Sequence, residues 1–150
     1  MQSPSARPLR TTLPARFYTD PAHFRRETEH FFFTKWICAG RADQIPGRGD
    51  YFLRDVLGES LIIVRSGQGP SAPLEAGPST SPGAGTIDAM FNVCRHRGTR
   101  ICEAACGSFP GSIQCSYHAW TYDLHGRLIG APHMDDIDGF DKCDFPLKAV

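Results

Sequence analysis

Two short segments, each with one cysteine and one histidine, constrain what this 150-residue chain can be. The first is CRHRG, with Cys94 and His96, and the second is CSYHAW, with Cys115 and His118. Thiolate sulfur and imidazole nitrogen are ligands that zinc and iron both accept. Because the pairs are separated by residues 97–114, they can lie on two loops that each follow a strand and meet at one end of a β structure. The sequence therefore predicts one metal centre built from two loops.

Three interpretations of this pattern compete. A structural zinc site would place all four side chains around one ion. A two-iron, two-sulfide cluster would divide them, with the two cysteines on one iron and the two histidines on the other. Coincidence is the third interpretation, and the presence of two matched pairs argues against it. Zinc fingers usually continue into a helix after the second pair, whereas TYDLHGRLIG predicts a hairpin here, which favours iron.

Composition excludes several other classes of protein. A hydrophobic content of 41% and a charged content of 21% predict one folded domain rather than a disordered chain. The formal net charge of +0 gives no overall attraction to nucleic acid or to an anionic membrane, and no apolar run is long enough to span a bilayer. The N-terminus lacks the apolar region of a secretory signal. Six cysteines without such a signal indicate metal binding more often than disulfides, so we expect a cytoplasmic protein.

The order of elements predicts a mainly β fold preceded by an N-terminal helix. Residues 1–13 are a proline-rich, flexible arm, and TDPAHFRRETEHFFFTKW is a helix capped by Asp20, with its three adjacent phenylalanines in the core. Residues 66–85 are rich in Gly, Pro and Ser and predict a flexible surface loop inserted in the domain. The predicted strands are WICA, YFLRDV, LIIVR, IDAMFNV, SIQC and the TYDL/RLIG hairpin.

The two ligand segments resemble a known family. CRHRG followed by CSYHAWTYDLHGRLIGAPH is similar to the Rieske [2Fe–2S] domain of the large (α) subunit of ring-hydroxylating oxygenases, and the lead-in from LPARFYTDPAHF to GDYF resembles the same family. The resemblance implies a small antiparallel β sandwich with a two-loop cluster-binding subdomain over residues 14–150. It also implies that Cys94 and Cys115 bind one iron and that His96 and His118 bind the other.

The resemblance further implies the electron-transfer portion of a Rieske non-haem iron oxygenase. A reductase or a ferredoxin would donate electrons, which pass to a mononuclear Fe(II) that activates O₂ for hydroxylation or demethylation. Only His125 and His133 follow the second pair, so that iron is expected in a C-terminal catalytic domain absent from this sequence. The family implies a homotrimer or an αβ hexamer for the full-length protein; the charge balance and the lack of an apolar span predict no nucleic-acid or membrane partner. A free-standing Rieske ferredoxin is the alternative, and the lead-in of about 90 residues before Cys94 disfavours it.

Residues near the predicted ligands bear on the reduction potential. Respiratory Rieske proteins have two extra cysteines in a disulfide and a serine that donates to a sulfide, whereas the matching places here hold Thr99, Tyr117 and Trp120. The electron should therefore be held less tightly, toward the low end of a range of about −150 to +300 mV. Trp120 is also predicted to limit the access of solvent.

Several further residues complete the predictions. Three arginines flank the first pair, and either they favour the reduced state or meet an acidic electron donor, or they form only a solvated face: Arg95, Arg97 and Arg100. Four cysteines fit neither common ferredoxin spacing and are predicted to be free thiols: Cys38, Cys102, Cys106 and Cys143. His125 and His133 are predicted to be surface residues rather than ligands.

Overall fold

The computed structural model describes residues 12–67, 85–134 and 136–150. The chain divides into two compact units, Met1–Ile37 and Cys38–Val150. Nearly all of the predicted arm at 1–13 and of the predicted loop at 66–85 lies outside the described ranges, so both stay predictions, as does the domain boundary at residue 14. No helix in the described ranges is long and apolar enough to cross a bilayer.

The first unit is helical, as predicted, but its helix is divided. Helix α1 spans Arg16–Thr19, α2 spans Pro21–Glu27, and a π-helical turn at Thr28–Phe32 follows α2 directly. The Asp20 carboxylate accepts a hydrogen bond from the backbone N–H of Ala22 at 2.9 Å. The proline that opens α2 has no N–H to leave unsatisfied in the first turn. The predicted cap is therefore confirmed.

The aromatic side chains of this unit are more exposed than the sequence predicts. Phe31 packs edge-on against Phe32, with ring centroids 5.3 Å apart, yet none of the helical residues is buried. Large apolar side chains that remain exposed are Tyr18, Phe24, Phe31, Phe33 and Trp36. The prediction that the three phenylalanines lie in a core is wrong, because the helical pattern shows which side chains share a face but not whether anything covers it.

The second unit begins with an antiparallel sheet of four strands in the order β3-β2-β1-β4. Strand β1 spans Asp50–Val56, β2 spans Glu59–Arg65, β3 spans Ile87–Phe91 and β4 spans Cys106–Ser108. Five consecutive residues of the central strand β2 are buried, from Leu61 onward. Strands β1 to β3 match the predicted segments, whereas β4 was not predicted and WICA forms no strand.

The turn between β1 and β2 carries an unfavourable residue. Leu57 and Gly58 both have positive φ, +54° and +93°, as the two central residues of a type I′ hairpin turn must. The backbone N–H of Gly58 also donates to the Asp55 carboxylate at 3.0 Å. A leucine in this left-handed region costs about 1–2 kcal/mol relative to a glycine.

A smaller antiparallel sheet follows, with strands in the order β5-β6-β7. Strand β5 spans Ser112–Gln114, β6 spans Thr121–Asp123 and β7 spans Leu128–Gly130. Strands β6 and β7 form the predicted hairpin, with Gly126 at a φ of +83° in its turn. Short 3₁₀ helices lie at Ala42–Gln44 and Lys142–Asp144. The two small sheets agree with the predicted mainly β fold.

The main core contains side chains from both sheets of this unit. Strand β2 contributes Ile62 and Val64, and the smaller sheet contributes Ile113, Tyr122 and Leu128. The two cysteines predicted as ligands belong to the same core cluster. A second cluster, on the other face of β1 and β2, contains Ile45, Phe52, Leu61 and Ile63. The ligand loops are therefore anchored in the main hydrophobic core rather than projecting from the surface.

Residues Leu147–Val150, here termed the C-terminal strap, pair with strand β3. The backbone N–H of Phe91 donates to Lys148 O at 2.9 Å, and that of Val150 donates to Ala89 O at 3.2 Å. Leu147 N–H donates to Gly126 O at 2.8 Å, in the turn of the β6–β7 hairpin. The strap thus supplies partners to an edge strand and contacts both sheets.

Candidate metal centre

The first ligand loop follows β3 and is closed by two backbone hydrogen bonds. Cys94 N–H donates to Thr99 O at 2.8 Å, and Gly98 N–H donates to Cys94 O at 3.0 Å. Gly98 has a φ of +71°, and a Cβ there would meet no protein atom within 4 Å. The backbone conformation, rather than a lack of space beside other protein atoms, therefore favours glycine at this position.

The second ligand loop follows β5 and repeats this hydrogen-bond pattern. Cys115 N–H donates to Trp120 O at 2.8 Å, and Ala119 N–H donates to Cys115 O at 3.0 Å. Ala119 has a φ of +59°, so the left-handed residue stands four positions after the cysteine in both loops. The histidine, however, lies two positions after Cys94 and three positions after Cys115. The two loops thus have similar backbone geometry but carry their histidines at different positions within the loop.

The structure brings the four predicted ligands together as a pair of thiols and a pair of imidazoles. Cys94 and Cys115 are each 2% exposed, and both belong to the main core cluster. The rings of His96 and His118 lie edge to face, with centroids 4.6 Å apart. In the described ranges, no three His, Cys, Asp or Glu side chains are grouped to hold a single metal ion. The arrangement is two pairs side by side.

His96 has the features of an imidazole that faces a metal. Its Nδ1 is the one buried side-chain nitrogen or oxygen of the described residues that lacks a hydrogen-bond partner. Burial, with smaller effects of His118 and Arg97, lowers the pKa of His96 below its usual value, which favours the neutral form that binds metals. A buried nitrogen without a partner is costly unless a ligand satisfies it. The residues present fit a cluster that takes two imidazoles.

The surroundings of Cys94 fit a thiolate that is paired with a cation. Burial raises the pKa of Cys94, the Tyr122 hydroxyl and the backbone N–H of His96 oppose that rise by hydrogen bonding, and Cys115 adds to it. The hydroxyl of Tyr122 lies 3.3 Å from Cys94 Sγ and accepts the backbone N–H of Arg95 at 3.1 Å. Burial, and then the nearby Cys94, raise the pKa of Tyr122, so it remains a hydrogen-bond donor.

Tyr122 is a functional candidate that the sequence analysis missed. Its ring is fully buried in β6, and the segment TYDL predicted only a strand. Its hydroxyl reaches a cysteine 28 residues earlier in the chain, and such a contact has no local sequence signal. The serine hydroxyl of respiratory Rieske proteins is missing here, but the Tyr122 hydroxyl lies beside Cys94.

Asn92 is a second candidate that was missed, because it fixes the exit of the first loop. Its side-chain amide donates to Cys102 O at 2.8 Å and to Ser60 Oγ at 3.2 Å. Its carbonyl oxygen accepts the backbone N–H groups of Ile101 and Cys102, at 3.1 and 2.9 Å. This buried amide is fully hydrogen-bonded, so it holds residues 101–102 against the strand that leads to Cys94. A lone polar residue ending an apolar strand is the signal that could have indicated it.

The other cysteines and histidines singled out in the sequence are found as predicted, and His125 makes one contact that was not predicted. All four additional cysteines are free, Cys102 being buried and Cys38, Cys106 and Cys143 exposed. His133 is exposed. His125 is also exposed, but its Nδ1 lies 2.9 Å from the Asp88 carboxylate of β3. The three arginines that flank the first pair are all exposed.

Comparison with known proteins agrees with this geometry. The family model of the Rieske [2Fe-2S] domain matches residues 35–141. This chain belongs to the Rieske [2Fe-2S] domain family. The oxygenase subunit of carnitine monooxygenase from Escherichia coli K12 is 33% identical over 139 residues, which are 93% of this chain and 33% of that protein. The oxygenase subunit of glycine betaine monooxygenase from Chromohalobacter salexigens is 38% identical over 139 residues, 93% of this chain and 27% of that protein.

A solved structure shows the same fold. The crystal structure of the quaternary ammonium Rieske monooxygenase CntA, in complex with an inhibitor, aligns with a TM-score of 0.76 at 32% identity, over 93% of this chain and 34% of that chain. The chain thus spans about a third of the length of the relatives that it matches. Its cofactor is a Rieske [2Fe–2S] cluster, and it corresponds to the Rieske part of oxygenase subunits.

Proposed function

We propose that Cys94 and Cys115 bind one iron of the cluster and that His96 and His118 bind the other. The observation that carries this assignment is the convergence of two buried thiols and two imidazoles, with His96 Nδ1 buried and without a partner. When bound, such a cluster supplies a one-electron carrier of moderate potential. The mixed ligand set leaves the oxidised centre with less negative charge than four thiolates would, which makes reduction easier.

The surrounding residues hold the centre and stabilise added negative charge. With Cys94 as a thiolate ligand, the Tyr122 hydroxyl, 3.3 Å from Cys94 Sγ, is the donor. A hydrogen bond to a charged acceptor strengthens as negative charge accumulates there. Trp120 is 2% exposed and excludes water from the His96 side. Asn92 and the core anchor the two loops, so little reorganisation accompanies a change of charge. These residues suit a group that gains and loses one electron without moving.

We further propose that an acidic electron donor, either a reductase or a ferredoxin, docks at the first loop. Arg95, Arg97 and Arg100 are exposed around Cys94 and His96 in a chain whose net charge is +0, so positive charge is concentrated locally. Complementary charges raise association rates and are screened by salt. Replacing Arg97 with glutamine should therefore reduce the second-order rate of electron uptake more at low salt than at high salt.

In the full-length protein, the electrons are proposed to pass to a mononuclear iron that activates O₂. The support is that similarity to oxygenase subunits extends over 93% of this chain, well beyond the two ligand loops. A free-standing Rieske ferredoxin would not account for similarity in the lead-in. Assembly as a homotrimer or an αβ hexamer is part of this proposal.

Anaerobic purification and ligand substitution test the assignment. The protein should contain about two irons and two acid-labile sulfides per chain and give a Rieske-type EPR signal on reduction. Cys94→Ser and Cys115→Ser should lose the iron and sulfide and be less stable, because ligation and folding are linked. Cys102→Ser is the matched control, since Cys102 lies buried in the same core. Stoichiometric zinc without sulfide would refute the proposal.

A further inference from the structure

The two histidines have different neighbours. The ring of His96 lies parallel to the indole of Trp120, with centroids 4.8 Å apart and planes 11° apart. The ring of His118 has Tyr117 beside it, with centroids 3.8 Å apart and planes tilted by 39°. Trp120 is 2% exposed, whereas Tyr117 is 60% exposed. One imidazole is therefore held from within the protein, and the other lies under a surface side chain.

Trp120 connects the two ligand loops. Its backbone oxygen accepts the N–H of Cys115, so the residue belongs to the second loop, yet its indole packs on the histidine of the first loop. Phe140 and Phe145 contact the indole edge-on, with centroids 5.9 and 5.7 Å away, and stack on each other at 5.1 Å. The indole is thus fixed on several sides and cannot turn away from the imidazole.

A metal-bound histidine normally needs a second contact to fix the plane of its ring. That contact is usually a hydrogen bond from the other ring nitrogen to a carboxylate, a carbonyl or a water. The torsion that turns an imidazole is broad and does not by itself select one orientation. The parallel face of the Trp120 indole restricts this torsion of His96.

We infer that Trp120 is a positioning residue that fixes the ring plane of His96 by stacking on it. The inference rests on the proposed binding of iron by His96. Tyr117 is the corresponding neighbour of His118, but its exposure leaves that ring less constrained. Each aromatic residue therefore governs one histidine, and a change in either should affect one ligand and not the other.

Pulsed EPR of the reduced protein tests this assignment, since the couplings of the two coordinating histidine nitrogens can be resolved. The variants are Trp120→Leu, which removes the aromatic face, and Trp120→Phe, which keeps a smaller one. We expect Trp120→Leu to hold iron and sulfide in parental amounts, and to shift and broaden one nitrogen coupling while the other is unchanged. Trp120→Phe should change the same coupling by less.

Two matched variants assign the signals. Tyr117→Leu should move the other nitrogen coupling, and Phe109→Leu, which removes a ring that stacks on Tyr51 against the main core, should leave both near their parental values. Unchanged couplings in both Trp120 variants, or equal shifts of both nitrogens, overturn the inference while the parental signal keeps the proposed function intact. If Trp120→Leu loses its iron, the Trp120→Phe result decides by the same criterion. A parent without iron and sulfide overturns the proposed function and this inference with it.

Discussion

Replacing Tyr122 with phenylalanine removes the hydroxyl that lies 3.3 Å from Cys94 Sγ and leaves the aromatic ring in the core. A hydrogen bond to a charged group contributes about 1.5–3 kcal/mol. Only the part gained on reduction affects the potential, and we take that part as roughly half. At about 59 mV per tenfold change for one electron, or per 1.4 kcal/mol, the midpoint potential should fall by about 30–60 mV.

The assay is a redox titration followed by visible absorption, or by EPR at the end points. Tyr51→Phe is the matched control, because Tyr51 is also a buried tyrosine of the main core, and its hydroxyl is not bonded to Cys94. Both variants should retain iron and sulfide. A Tyr122→Phe potential within about 10 mV of the parent, or an equal fall in Tyr51→Phe, would refute the role given to this hydroxyl.

Three further predictions concern stability and reactivity. Leu57→Asn should raise the free energy of unfolding by about 1 kcal/mol, because asparagine tolerates the positive φ of this exposed turn position; an unchanged urea midpoint would contradict this. Burial alone would raise the pKa of Asp123, but hydrogen bonds from Arg127 and from the backbone of His125 lower it overall. Its contribution is therefore fully present above the unfolded pKa of about 3.9 and is lost as the pH falls through the lower folded pKa. Asp123→Asn should accordingly be less stable than the parent at pH 6, and the difference in urea unfolding should shrink below about pH 4; a constant difference would count against it. Burial, and then Glu103, raise the pKa of Cys102 to about 11, so iodoacetamide at pH 8 should alkylate Cys106 well before Cys102 in the folded protein. Mass spectrometry of the digested protein would show this order, and equal labelling would disprove it.

The parts of the fold that depend on short-range patterns could be predicted from the sequence. Asp20 precedes a proline and caps α2, and the glycine at position 126 permits the positive φ that the β6–β7 turn requires. The four candidate ligands could be predicted because their side-chain types and their spacing are visible in short stretches of sequence. The structure brings them together as predicted. Their assignment to individual irons stays a proposal.

The parts that depend on a distant partner could not be predicted. Strand β4 has the sequence CGS, with little strand preference, and forms because β1 offers it a partner. WICA has strand preference but pairs with no strand in the described residues, and it stays irregular. Tyr122 and Asn92 act through contacts 28 and 10 residues away, which no periodicity reveals.

The C-terminal strap is connected by backbone hydrogen bonds to the structural elements that carry both ligand loops. It is hydrogen-bonded to β3 at Ala89 and Phe91, and Cys94 is the third residue after β3. It is also bonded at Gly126, in the hairpin whose first strand continues from the second ligand loop. Tension on the strap therefore reaches both loops over short distances through a close-packed interior that transmits strain. A displacement of these four residues would therefore act on both ligand loops at once.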